Sequence, residues 1–399
     1  ISKKGISMNK SNKLEIIGVL AISFLITSSF AVSSCLPEMM KTFSEYSRAE
    51  MEMLMSSPSF TMLLMIALTP ILSRYLSERF MVITGLLTFG IAGLVPVFIE
   101  SYPIIFAARI FMGLGIGLLN AKAVSMIGER FTGDLRSKLQ GIRCSMETLG
   151  QSALMMVVGL LLPFGWNYTF LVFSSAFVIL IMYLAFVPVR KKTNADVAED
   201  SATVKPASGT YRLTSNDILV IAKNLFLGLS LVSSQMIMSI RLTSYIVENG
   251  IGTSVDGANI LSISVFFGFI GGIFFGRLMQ LFRQRLLPLT LLCIGGSLAC
   301  IGFSGSLTMI LIGACLANFF LTIGLSFMFN GLSDQVPVEA LNTANSMVLV
   351  GCNLGASITP FILTLISMIN PALSTCYILY AAVYAVFAVP LLVRTRKNA

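Results

Sequence analysis

The chain has 399 residues, 56% of them hydrophobic and only 11% charged, with 27 Lys+Arg against 18 Asp+Glu and no His. A soluble domain carries about 25% charged residues, so the composition excludes a water-soluble enzyme and a disordered protein. A β-barrel, whose strands alternate polar with apolar, is excluded too. What remains is an all-α membrane protein. With no His there is no imidazole for a metal site or a proton relay, and the seven Cys form no CxxC pair. Neither a metal nor a cofactor is called for, and the cysteines read as small buried hydrophobes.

A span of about 20 apolar residues crosses the bilayer core, and the sequence predicts twelve: 14–36, 50–73, 80–99, 103–127, 138–161, 169–189, then 216–246, 255–280, 286–304, 307–331, 342–368 and 371–394. With the N-terminus inside, twenty Lys+Arg fall in inner tails and loops against two outside, Lys41 and Arg48. Positive charge stays cytoplasmic, which places both termini inside and explains the net charge without nucleic acid. The one long polar stretch divides the chain into a tail (1–13), a six-helix half (14–189), a linker (190–215), a second six-helix half (216–394) and a short tail (395–399). Equal halves suggest duplication around a central binding site.

In span four, Arg109, Gly113 and Asn120 share a helical face, and Gly113, Gly117 and Ala121 form a row of small residues that admits a close neighbour. Span eight repeats the device with Gly268, Gly272 and Gly276 before Arg277, and span eleven with Gly351 and Gly355. Together these resemble the major facilitator superfamily. Arg109-xxx-Gly113 looks like that family's R-x-x-x-G motif, whose Arg is associated with proton coupling. The loop after span two stands where the family keeps a gating motif. There Thr69 replaces its Gly and Ser73 its Asp, while Arg74 survives. Gly272-xxx-Gly276-Arg277 is its echo in the second half. The antiporter signature of span five is absent; Gly150, Gly159 and Pro163 only approximate it.

Charges inside the bilayer cost about 2.5–3.5 kcal/mol each, so each needs a partner or a cavity. Five cations lie within spans: Arg109, Lys122, Arg143, Lys223 and Arg241. Glu147 is the one acid read as deep, roughly 13 Å in from Lys138 at 1.5 Å per residue. Glu52 is read as interfacial. Arg143 and Glu147 are four apart and can pair, and Glu147 is the expected proton carrier, with Arg109 and Arg143 beside it in that role. Lys223, Ser230, Ser234 and Arg241 form a polar stripe on span seven, read as cavity lining, with Gln235 adjacent. Thr27, Asn120, Asn318 and Asn353 complete the expected substrate contacts; Arg74, Gly272, Gly276 and Arg277 are the expected gate.

The sequence thus predicts a multi-pass protein of the cytoplasmic membrane. It would move a small organic solute, leaning anionic, by proton-coupled alternating access, and a monomer suffices. The rival readings are a multidrug/H+ antiporter, a lipid flippase and a non-transporting membrane sensor.

Overall fold

The computed structural model describes residues 10–131, 133–188 and 214–397; the linker expected over 190–215 lies almost wholly outside them. The described residues are helical throughout. The first bundle holds α1 (Lys10–Ser23), a 3-10 segment (Ser28–Cys35), α2 (Leu36–Thr42), α3 (Arg48–Tyr75), α4 (Glu78–Phe98), α5 (Tyr102–Arg130), α6 (Gly133–Leu161), two further 3-10 segments (Leu162–Phe164 and Asn167–Ser174) and α7 (Ser175–Phe186). The second holds α8 (Ser215–Glu248), α9 (Ser254–Phe282), α10 (Leu286–Gly302), α11 (Leu307–Gln335), α12 (Val338–Ile369) and α13 (Ser374–Lys397). Ten of the described helices are long and apolar enough to cross a bilayer. The bent first segment makes eleven, and the shorter apolar α10 completes the alternation.

The first span is not the single helix expected over 14–36. It breaks after Ser23, with a bend of 43° between its two parts. The cause is local: in ITSSFAVSSC the small hydroxyl and thiol side chains compete for backbone carbonyls. Ser28 Oγ donates to Leu25 O at 2.6 Å and Cys35 Sγ to Val32 O at 2.7 Å.

Chain alternation puts α1's start and α13's end on one side of the molecule, here the termini side, and the α2–α3 and α8–α9 turns on the far side. On the termini side Arg130 bridges Glu15 at 2.5 Å and Glu78 at 2.6 Å, tying α5 to α1 and α4. On the far side capping boxes start α3 (Ser47 with Glu50) and α9 (Thr253 with Asp256).

Glycines set how closely helices approach. A Cβ at Gly113 would stand 2.3 Å from the Pro58 carbonyl of α3, and one at Gly355 would stand 2.4 Å from the Leu229 carbonyl of α8. In α9 the tight position is Gly271, 2.5 Å from Phe319 O, rather than the expected Gly272 or Gly276; a Cβ at Gly276 would meet nothing within 4 Å.

These contacts predict opposite outcomes for one substitution. Gly113→Ala forces backbone apart and should lower stability by about 1–3 kcal/mol, read as a fall in the thermal midpoint of the solubilised protein. Gly276→Ala, at an open helical position, should leave the midpoint unlowered or raise it by the helix preference of Ala over Gly, about 0.5–1 kcal/mol. Equal effects would contradict this packing.

Candidate functional site

Two seams join the bundles: α6 runs along α9, and α3 along α12, with the first 3-10 segment against α8. In the first seam Ser152 Oγ donates to Ser262 O and Ser262 Oγ to Ser152 O, each at 2.8 Å. Toward the far side, a Cβ at Gly159 would stand 3.1 Å from Asn259 Oδ1. Toward the termini side the helices part. Gly141 lies eleven residues before Ser152 on the same face of α6. Gly276 lies fourteen beyond Ser262 on the same face of α9. A Cβ at either would meet nothing within 4 Å. The seam is therefore a wedge, closed at the far side and open at the other.

The far side is closed by charge as well. Arg241 of α8 makes a two-armed pair with Glu52 of α3, Nε to Oε1 at 2.7 Å and Nη2 to Oε2 at 3.1 Å, with side chains only 1% and 0% exposed. Nη2 also donates to Ser367 Oγ at 2.9 Å on α12. Closer to the surface, Arg48 pairs with Glu248 at 2.6 Å; about two turns deeper than Glu52, Phe60 meets Phe361 edge-on at 5.9 Å.

Two expectations change here. Glu52 is not interfacial but wholly buried, so Glu147 is not the sole deep acid. Glu52 lies only four residues into α3, but the turn before it and α8 cover it. Arg241 does not line a cavity; it is held by Glu52. The stripe it belonged to faces the second bundle's interior: Ser234 Oγ lies 2.5 Å from Tyr384 Oη, and that phenol donates to Ser230 O at 2.9 Å. Lys223, at the stripe's other end, is exposed.

Arg109 is 1% exposed on α5. Its Nε donates to Leu54 O at 3.3 Å and its Nη2 to Met55 O at 2.7 Å and Ser29 O at 3.1 Å. Of the two α3 acceptors, the Leu54 carbonyl is available because Pro58 has no N–H, which deprives it of its usual helical donor. Arg109 thus ties α5 to α3 and to the broken first span. Glu147 is not among its contacts.

Glu147 pairs with Arg143, as their spacing predicts, and both side chains stay partly open at 19% and 14% exposure. The break in span one brings Thr27 to the same place, donating from Oγ1 to Glu147 O at 3.0 Å. Here α6 touches the break closely, since a Cβ at Gly150 would stand 2.1 Å from Phe24 O. Gln151, one turn further along and 4% exposed, extends this polar strip; its amide in an apolar run was the available signal.

The other expected contacts are dispersed. Asn318 is a helix-to-helix fastener, donating to Ser264 Oγ at 3.0 Å. Asn353 bonds its own helix at Leu349 O, 2.9 Å away. Asn120 and Gln235 are half-buried, Gly272 and Arg277 are exposed, and the Arg74 side chain lies outside the described residues.

Removing one partner of a buried ion pair costs about 3–5 kcal/mol, because the other charge is left unpaired. Glu52→Gln should therefore open the far side. Spin labels at Lys41 and Val255 should report a longer distance, and Glu52→Gln with Arg241→Leu should restore much of the closed population. An unchanged distance in the single variant would remove the lock.

The residues matched by the family model for the Major Facilitator Superfamily are 18–284. Among solved structures the fold resembles a D-xylose–proton symporter (TM-score 0.74, 15% identity, covering 95% of this chain and 97% of that one). It also resembles a POT family transporter in complex with 5-aminolevulinic acid (TM-score 0.73, 14% identity, 96% of each chain). A third likeness is to a POT family transporter in complex with a thioalcohol-conjugated peptide (TM-score 0.75, 13% identity, 96% of each chain). No curated protein sequence matches the chain. Two six-helix bundles meeting along paired seams, together with a family match over most of the length, make this a multi-pass membrane protein that belongs to the Major Facilitator Superfamily.

Proposed function

We propose that this protein is a secondary transporter of the cytoplasmic membrane, with both termini cytoplasmic, that moves a small organic solute by alternating access. The observation that carries the reading is the wedge between α6 and α9, bonded at Ser152–Ser262 and open at Gly141 and Gly276. Rocking the bundles about their contact would open the far half and close the termini half. The Glu52–Arg241 pair must break in that motion, and both groups gain water as they separate, which limits the cost. Both walls of the seam come from one chain, so a monomer suffices.

Glu147 is the proposed proton carrier. Its partner Arg143 favours the ionised carboxylate, burial opposes it, and a group balanced in that way can respond to the state of the cavity. Arg109 acts by holding α5, α3 and the broken span in register rather than by exchanging protons with Glu147. Arg109 is held by backbone carbonyls and Arg241 by Glu52, so the preference for an anionic solute rests on Arg143 and Lys223. Thr27 and Gln151 are the neutral groups placed to orient the solute beside them.

Solute flux into proteoliposomes under an imposed pH gradient tests this reading, with organic anions and lipophilic cations as the panel. Gradient-driven anion flux in the wild type, falling to the level of empty liposomes in Glu147→Gln while solute binding persists, is expected. Undiminished flux in the variant would remove Glu147 from coupling. Movement of the lipophilic cations alone would replace the anion reading with that of a drug exporter.

A further inference from the structure

A groove of about 480 Å³ lies on the far face where the bundles meet. Its first wall is Glu38 and Thr42 of α2 with the turn through Phe164 and Trp166; its second is Thr253–Val255, where α9 begins. This is the size range of small-molecule sites. The far side must be closed for the groove to exist, because neither bundle supplies both walls.

The chemistry of the walls selects a cation with an apolar body. Glu38 presents its carboxylate between them: Oε1 accepts from Ser254 Oγ at 3.0 Å and Oε2 from Lys41 Nζ at 3.0 Å. A carboxylate offers about four acceptor positions, so capacity remains, and Lys41, 66% exposed, stands on the rim. The Trp166 indole donates its N–H to Thr42 Oγ1 at 2.9 Å, which fixes the ring as part of the wall. Aromatic faces attract ammonium groups. The surrounding face is acidic: Glu38, Glu45, Glu50, Glu100, Glu248 and Asp256 outnumber Lys41 and Arg48.

The geometry points to a binding site for small amphipathic ammonium compounds, filled from the far side and separate from the Arg143–Glu147 strip. A ligand that contacts both walls binds the far-closed state better than the far-open one, so it shifts the protein toward closure. An occupied groove would hold the transporter shut on that side.

Trp166 is the chain's single tryptophan, so its fluorescence reports on the groove without labelling. The test is titration of the full chain, in phosphatidylglycerol nanodiscs, with benzyltrimethylammonium and with its uncharged isostere 2,2-dimethylpropylbenzene. A saturable change with the ammonium alone is expected. Glu38→Gln should weaken it about tenfold or more. Val255→Phe, which fills the groove from the second bundle, should abolish it, and Glu147→Gln should leave it intact.

No saturable change, equal binding of the uncharged analogue, undiminished affinity in Glu38→Gln, survival in Val255→Phe, or loss in Glu147→Gln would overturn the proposal. Phosphatidylethanolamine discs identify the source of the ammonium. Competition there assigns the groove to a lipid headgroup, and undiminished binding assigns it to a soluble amine.

Discussion

A guanidinium in hydrocarbon must be given acceptors by the protein around it, and three such groups organise this chain in different ways. Arg109 is given backbone carbonyls, one of them released by Pro58, and in return fastens α5 to α3 and to the broken first span. Arg241 is given a carboxylate from the opposite bundle. Arg143 is given a carboxylate one turn along its own helix, in the less buried setting beside the break. The first arrangement is permanent, since all its partners move together within one bundle. The second spans the seam and cannot survive separation of the bundles.

That distinction links packing to function. Glycines that a Cβ would drive into neighbouring backbone, at 113 and 355, lie within a bundle, where helices stay in contact. Seam contacts are of another kind: paired serine hydroxyls, an edge-on pair of phenyl rings and two ion pairs. Each is strong in one geometry and replaceable by water in another. Rigid bundles joined by contacts that water can replace have the mechanical requirements for alternating access.

Much of the fold was legible in the sequence because hydrocarbon permits few solutions: span lengths, equal halves and the close α5 face around Gly113 all follow from apolar runs and small-residue spacing. The Arg143–Glu147 pair was legible because four residues on a helix is a contact distance. Glu52 was not, because its burial comes from α8, nearly 200 residues away, and no local pattern encodes that neighbour. The α8 stripe misled for a related reason. A polar face on a transmembrane helix needs a partner, but periodicity does not say whether that partner is water or a phenol such as Tyr384. The break in span one was written in its run of Ser, Thr and Cys, yet apolar length alone reads through it.

Alternating access requires the wedge between the bundles, and the accessibility of cysteines along it measures that feature directly. In a background with the native cysteines replaced, single cysteines at Gly141, Ser152, Ser262 and Gly276 would be challenged with a membrane-impermeant maleimide from each side of oriented vesicles. Rapid labelling of Gly141→Cys and Gly276→Cys from the termini side is expected, with Ser152→Cys and Ser262→Cys protected from both. Labelling of the serine positions from the far side, with the glycine positions protected, would contradict it.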